Sequence, residues 1–224
     1  MIAAVLVAAG SSRRMGFDKL FAELAGIPVI QRTMDVFLDH PEVDELIVVG
    51  SEGNRDRLES LLGPRGRVVL GGKERCHSVW NGIQAADETH RWIAVHDGAR
   101  PLVSGTDIHH VFAKAREDGA ATLAHPVTDT LKRAHLDGRV RAAVDRDHLW
   151  GMETPQCFRR DWLMQAYEGV MDAGRLVTDE VSALAEQGRD VFLVQSQFPN
   201  PKITFPPDIE LAESLLAAAG NFSD

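Results

Sequence analysis

Apolar runs too short to be helices alternate along the chain with amphipathic stretches. Residues 2–9 (Ile-Ala-Ala-Val-Leu-Val-Ala-Ala) are uninterruptedly apolar and stop at Gly10, which predicts a strand buried on both faces of a parallel sheet. Pro28 opens a helix expected to reach about Asp39, with Val29, Ile30, Met34, Val36 and Phe37 apolar and Pro41 beyond its end. Residues 45–50 predict a second strand, Ser51 the N-cap of a helix ending near Gly63-Pro64, and Arg67–Leu70 a third strand. A helix from about Val79, a strand over 91–96, a helix capped by Thr106 to about Asp118 and a strand over 120–125 continue the alternation. This order predicts an α/β fold: a Rossmann-like, mostly parallel sheet covered by helices on both faces. Ligands of such sheets bind beyond the carboxyl ends of the strands, where Gly10, Gly50 and Gly71 fall.

The pattern breaks over residues 126–154. Two short β-like pieces, 130–134 and 139–144, flank the turn Leu136-Asp-Gly138 where a helix is due. A lone hairpin is marginally stable in water, so this excursion reads as a β-arm that packs on a second subunit and makes a homodimer, the alternative being a hairpin folded over its own domain. Helices over 161–173 and 179–187 follow, the second with Thr178 as N-cap, then a strand over 191–194 and a last helix from Pro206. Residues 1–224 thus read as one domain carrying the arm.

Composition narrows the partners. The 44% hydrophobic content supports a sizeable core, and no apolar run approaches the roughly 20 residues of a membrane span. The start of the chain lacks a basic region and a cleavage site, which argues against a signal peptide. Two cysteines without a pairing pattern, Cys76 and Cys157, fit a reducing cytoplasm. A net charge of −9 argues against a nucleic-acid partner. An acidic chain that binds phosphate must therefore gather its cations locally.

Gly10-Ser-Ser-Arg-Arg-Met-Gly16, followed by Lys19, has the chemistry of a phosphate loop, with backbone N–H groups in a concavity and cations around it. Five residues separate its glycines and Phe17 follows, which excludes a Walker loop, and Ser12 stands at the second glycine of a dinucleotide fingerprint. An ordinary strand-to-helix turn with solvated arginines is the alternative. Gly71-Gly72 can lie against a flat base or make a surface turn with Ser78 as N-cap. Asp97, at a strand's carboxyl end, suits hydrated Mg²⁺ or a ribose hydroxyl; His96 reads as a satisfied strand-end histidine, and the nine histidines form no metal-ligand array.

The motifs taken together resemble one family. Ala8-Ala-Gly-Ser-Ser-Arg-Arg-Met-Gly16 with Lys19, Gly71-Gly-x-x-Arg75-x-x-Ser78 and His96-Asp-x-x-Arg100-Pro101 are similar to the nucleotide-site motifs of the 2-C-methyl-D-erythritol 4-phosphate cytidylyltransferases. Asp129-Thr-Leu-Lys-Arg133, Val144-Asp-Arg146, Glu153-Thr-Pro-Gln156, Thr178-Asp-Glu180 and Asn200-Pro-Lys-Ile-Thr204 resemble the same family's substrate motifs, so the likeness runs from Ala3 to about Leu216. It implies transfer of a cytidylyl group from CTP to a phosphorylated polyol, with Mg²⁺ or another divalent cation. Ala8, Ala9, Gly10, Ser12, Gly71, Gly72, Arg75, Ser78, Asp97, Gly98 and Arg100 are then the nucleotide-binding residues, and Asp97 the candidate metal ligand. Thr130, Arg146, Thr154, Thr178 and Lys202 would bind the alcohol phosphate, and Arg14, Lys19, Arg146 and Lys202 would be catalytic. The attacking phosphate already carries nucleophilic oxygens, so positioning and electrostatics are expected to suffice without a general base. Val7 departs from a proline common before Ala-Ala-Gly in the family, and Ser12 from its second glycine. The rivals are a ribitol-5-phosphate cytidylyltransferase and a nucleotide-binding regulator without catalysis. A fused cyclodiphosphate synthase is not expected in a chain of this length.

Overall fold

A computed structural model of the protein describes residues 1–10 and 16–220. The chain runs β1 (Ile2–Val7), β2 (Glu23–Leu24), β3 (Ile27–Pro28), α1 (Val29–Leu38), β4 (Glu45–Gly50), α2 (Arg55–Leu62) and β5 (Arg67–Leu70). It continues through α3 (Arg75–Ala85), β6 (Trp92–Asp97), α4 (Gly105–Asp118), β7 (Ala120–Pro126), β8 (Lys132–Ala134), β9 (Val140–Ala143) and β10 (Trp150–Arg159). Helices α5 (Arg160–Asp172) and α6 (Glu180–Ala185), strand β11 (Phe192–Gln195) and helix α7 (Pro207–Gly220) complete it.

Among the described residues the main sheet has seven strands in the order β11-β7-β10-β6-β1-β4-β5. β1 pairs in parallel with β4 and β6, β4 with β5, and β7 with β11. The unbroken apolar run of β1 is explained by its two buried faces. Ala4 and Leu6 join a core with α1, α2 and α4, while Ala3 and Val5 join another with α3, α5 and α6. The expected sheet covered on both faces is what forms.

The short pair β2 and β3 was not foreseen, nor was one strand of the main sheet. β10 lies antiparallel between β6 and β7, in the middle of the sheet. Its sequence hides it, because Glu153-Thr-Pro-Gln156 interrupts any apolar pattern and proline is unusual in a central strand. The register on β7 shifts between Met152 and Gln156, which accommodates this stretch. Several caps also differ from expectation. Asn54 rather than Ser51 precedes α2, and Glu74 precedes α3, which places Ser78 inside that helix. Ser104 rather than Thr106 caps α4, accepting from Asp107 N, and Asp179 rather than Thr178 caps α6, accepting from Ser182 N. Glu74, Ser104 and Asp179, one to four positions from the expected residues, have the extended backbone that a cap needs.

The excursion after β7 does contain a hairpin. β8 and β9 form a two-stranded sheet of their own, and both are exposed along their whole length. Leu136 at the turn is fully exposed and Val140 is 66% exposed. No helix among the described residues is long and apolar enough to cross a membrane.

Candidate active site

The carboxyl ends of β1, β4, β5 and β6 are laced together by backbone bonds. Ala8 N donates to Val49 O (2.8 Å), Gly98 N to Val7 O (3.0 Å) and Gly71 N to Gly50 O (2.7 Å). Asn54, which sequence reading missed, pins the first of these ends: its Nδ2 donates to Ala8 O (2.9 Å) while its Oδ1 accepts from Ser51 N (2.7 Å). At Gly71 a Cβ would stand 2.6 Å from both Ala9 Cβ and Ser78 Oγ, and at Gly72 2.4 Å from His77 Cβ. Glycine is therefore what lets this loop lie against the end of β1. Ala8, Ala9, Gly71, Gly72, Ser78 and Gly98 are thereby brought together, with Gly10 exposed beside them. The Ser78 hydroxyl is turned inward, accepting from Gly72 N (3.1 Å), so it shapes the loop from behind. Ser12 and Arg14 lie outside the described residues.

Asp97, the last residue of β6, is the electrostatic centre. Its Oδ2 accepts from Lys202 Nζ at 2.9 Å and lies 3.5 Å from Arg100 Nε, while its Oδ1 lies 3.5 Å from Arg75. Burial alone would raise its pKa, but Lys202, Arg75 and Arg100 outweigh that and hold the carboxyl well below the usual range. The three cations differ in access to solvent. Arg100 is 12% exposed, Arg75 26% and Lys202 37%. Arg100 donates to the carbonyls of Asn200 (2.7 Å) and Met152 (3.3 Å), so its guanidinium braces the loop after β11 against β10. Lys19 reaches the same loop, donating from Nζ to Ile203 O at 2.7 Å. A cation near the start of the chain is thus held on the backbone of the residue next to Lys202, whose own ammonium rests on Asp97.

Thr154, expected to touch the alcohol phosphate, is 4% exposed and engaged inside the protein. Its Oγ1 accepts from Asp97 N (3.0 Å) and pairs with His96 Nδ1 (3.0 Å), while His96 Nε2 faces Arg100 O (3.1 Å). A carbonyl can only accept, so Nε2 carries the proton and Nδ1 accepts from the threonine hydroxyl. Burial lowers the His96 pKa to about 4 and keeps the ring neutral. His96 is the satisfied strand-end histidine that the sequence suggested. Behind it, Asn200 Nδ2 donates to Glu153 Oε2 (2.9 Å) and to Thr154 O (3.0 Å), and Glu153 Oε1 pairs with His125 Nδ1 (2.7 Å).

Arg75 also meets Glu180. Its Nη1 and Nη2 donate to the two carboxylate oxygens at 2.8 and 3.2 Å, and Nη1 is 3.5 Å from Thr178 O. Thr178 itself is exposed. Thr130 and Arg146 are exposed on the arm, where Arg146 Nη1 donates to Thr128 O. The ion pairs that join Arg75, Arg100 and Lys202 to Asp97 do not extend to either arm residue. A separate cavity of about 860 Å³ opens at the other end of the strands, beside Trp92 and Arg159. Its four arginines face four carboxylates, a poor match for a triphosphate.

A model of the family described as 2-C-methyl-D-erythritol 4-phosphate cytidylyltransferase matches residues 2–218. The chain belongs to this family. The cytidylyltransferase of that name from Bacillus licheniformis is 40% identical over 221 residues, covering 96% of this chain and 95% of the relative. The one from Geobacillus kaustophilus is 39% identical, covering 96% of each. Among solved structures, the cytidylyltransferase of Thermus thermophilus superimposes with a TM-score of 0.83 at 30% identity, over 97% of this chain and all of the other. The 4-diphosphocytidyl-2C-methyl-D-erythritol synthase of Anaerococcus prevotii gives 0.85 at 29% identity, over 96% of each.

For this cytidylyltransferase-family chain the fit of a divalent cation rests on Asp97. Among the described residues no cluster of three His, Cys, Asp or Glu side chains is arranged to hold a metal. One carboxylate is nevertheless what Mg²⁺ commonly takes from a protein when phosphate oxygens and water fill the other positions. Lys202, the most exposed of the three cations on Asp97, is the group that would have to yield an oxygen. Sequence reading missed the pairing partners: Glu180 and Asn200 stand in quoted motifs, but nothing local announces which arginine or carbonyl they meet.

Proposed function

We propose that this protein transfers the cytidylyl group of CTP to the phosphate of 2-C-methyl-D-erythritol 4-phosphate. The products are 4-diphosphocytidyl-2-C-methyl-D-erythritol, a precursor in isoprenoid biosynthesis, and pyrophosphate. The observation that carries the reading is that Lys19, from the start of the chain, is bonded to the Ile203 carbonyl, next to Lys202, which rests on Asp97. Two anions must approach in line, and a phosphate oxygen already supplies the nucleophile. Fixed cations that lower the repulsion and orient the approach are therefore what the reaction needs.

Arg14 and Lys19 are assigned to the α-phosphate and the departing pyrophosphate. Lys202, with Arg146 from the arm, holds the attacking phosphate; the fork of an arginine suits one face of a phosphate. Gly10, Gly71 and Gly72 let backbone groups approach the nucleotide, and Arg75 orders their loop. Thr130 and Thr178 are assigned to the alcohol. Thr154 acts through His96 and the backbone of Asp97. Asp97 would hold a divalent cation such as Mg²⁺, which when bound would supply further neutralisation of the phosphate charge. The exposed Leu136 and Val140 support a homodimer in which the arm packs on a second copy, within an architecture of one domain. Cys76 and Cys157 are both free thiols, and burial pushes the Cys157 thiol up to about 12, which suits a reducing compartment such as the cytoplasm.

Pyrophosphate release from CTP is the test, run in parallel with 2-C-methyl-D-erythritol 4-phosphate and ribitol 5-phosphate. Turnover is expected with the first. Preference for ribitol 5-phosphate moves the chain to the rival substrate, and CTP binding without release under either condition makes it a regulator.

A further inference from the structure

Glu180 has no task in the reaction as drawn, yet it is the most completely buried acid near the site. Its residue exposure is 0% at the first position of α6. One of its carboxylate oxygens, Oε1, accepts from both Arg75 Nη1 and Tyr167 Oη at 2.8 Å, and the other accepts from Arg75 Nη2 at 3.2 Å. Tyr167, from α5, is itself fully buried and stacks on Trp80 of α3 with the rings 6.2 Å apart and 3° from parallel. Burying a carboxylate is costly even when it is paired, and an apolar side chain usually fills such space at lower free energy. The acid therefore calls for an explanation beyond packing.

The explanation lies in what Arg75 joins. It begins α3, directly after the glycine loop, and its other edge lies 3.5 Å from Asp97. Glu180 stands two residues after Thr178, whose carbonyl also faces Arg75 at 3.5 Å. The guanidinium thus ties the nucleotide loop to the segment assigned to the alcohol. Gripped in two places by Glu180, Arg75 is held off full pairing with Asp97, which leaves one Asp97 oxygen to Lys202 and Arg100. Were the charge on Glu180 lost, Asp97 would be the carboxylate remaining to Arg75, in competition with Lys202.

We infer that Glu180 is a positioning residue for the transfer, holding Arg75 so that the nucleotide loop and the alcohol segment are ordered as one unit and each substrate favours binding of the other. The inference rests on the function proposed above. Ordering either segment restrains the shared arginine, so the second substrate finds its segment already partly ordered.

The test uses purified full-length protein, wild type and Glu180→Gln, with KM for CTP measured at low and at saturating 2-C-methyl-D-erythritol 4-phosphate. Wild type is expected to show KM for CTP falling about fivefold or more as the second substrate saturates, the lower end of ordinary coupling. Glu180→Gln keeps the shape and an acceptor but not the charge. It is expected to remove most of that dependence and to lower kcat/KM for the alcohol phosphate by about tenfold, a cost typical of one charged hydrogen bond. Tyr167→Phe removes one donor to Glu180 and touches no substrate; it should shift the dependence in the same direction by a smaller factor, and it decides the matter if Glu180→Gln does not fold. A variant with a lowered Tm whose two KM values keep their wild-type mutual dependence makes Glu180 a packing residue and overturns the inference alone. Wild-type protein that releases no pyrophosphate overturns the function, and this inference with it.

Discussion

Lys202 and Arg146 are assigned to the same phosphate, yet the fold holds them by opposite means. Lys202 leaves a loop braced by Arg100 and Asn200, and its ammonium is set on a buried carboxylate at 2.9 Å. Arg146 sits on an exposed arm whose strands pair with each other, and its recorded partner is the nearby Thr128 carbonyl. One cation is preorganised by the domain itself. The other stands on an element with little of its own to hold it, as expected of a group that a second surface must complete.

The difference can be tested most strongly on the preorganised side. Lys19→Ala is expected to lower kcat by about 10²–10³, the usual effect of deleting one fixed electrostatic group, with the fold intact. Retention of more than about a tenth of wild-type kcat breaks the assignment.

Acid should come next, and should act on the buried side alone. The free histidine value is 6.5, while burial holds folded His96 near 4. The unfolded chain therefore takes up a proton in that window which the folded chain refuses. Stability from this group is full above pH 6.5 and is lost as the pH falls toward 4, a change of up to about 3 kcal/mol at about 1.4 kcal/mol per pKa unit. Asp97, held low by Lys202, Arg75 and Arg100, extends the loss to still lower pH. Urea unfolding at pH 7 and pH 4.5 measures it, and His96→Gln should flatten the slope. Equal slopes in the variant and wild type would assign the acid loss to other groups.

On the arm, Arg146→Ala should raise KM for the alcohol phosphate about tenfold, as loss of a charged hydrogen bond does, without moving Tm. An unchanged KM with halved CTP affinity would place Arg146 in the other pocket. The smallest effect belongs to Leu136→Ser. A fully exposed side chain should change the stability of the isolated subunit by less than about 0.5 kcal/mol, so any larger loss at high protein concentration measures an arm packed on a partner.

Much of the scaffold was legible from short-range pattern. β1, β4 and β7 fell where apolar runs predicted them, since a strand buried on both faces needs only neighbouring residues to declare itself. β10 did not, because its central position follows from the strands on either side and its own residues are polar and proline-containing. The caps at Asn54, Glu74, Ser104 and Asp179 were each displaced by a few positions, since several adjacent side chains can cap and the backbone chooses among them.

The sequence by itself determined the alternating scaffold, the glycine loops at its strand ends and the residue types from which a phosphate site can be made. Only the tertiary structure decided which of them meet. Lys202 finds Asp97, and Arg75 finds Glu180, each across 105 positions, and Lys19 reaches Ile203 across 184. It also set the hydroxyls of Thr154 and Ser78 in hydrogen bonds inside the protein. Periodicity records the faces of one element, whereas an ion pair between distant elements depends on how the whole sheet is ordered.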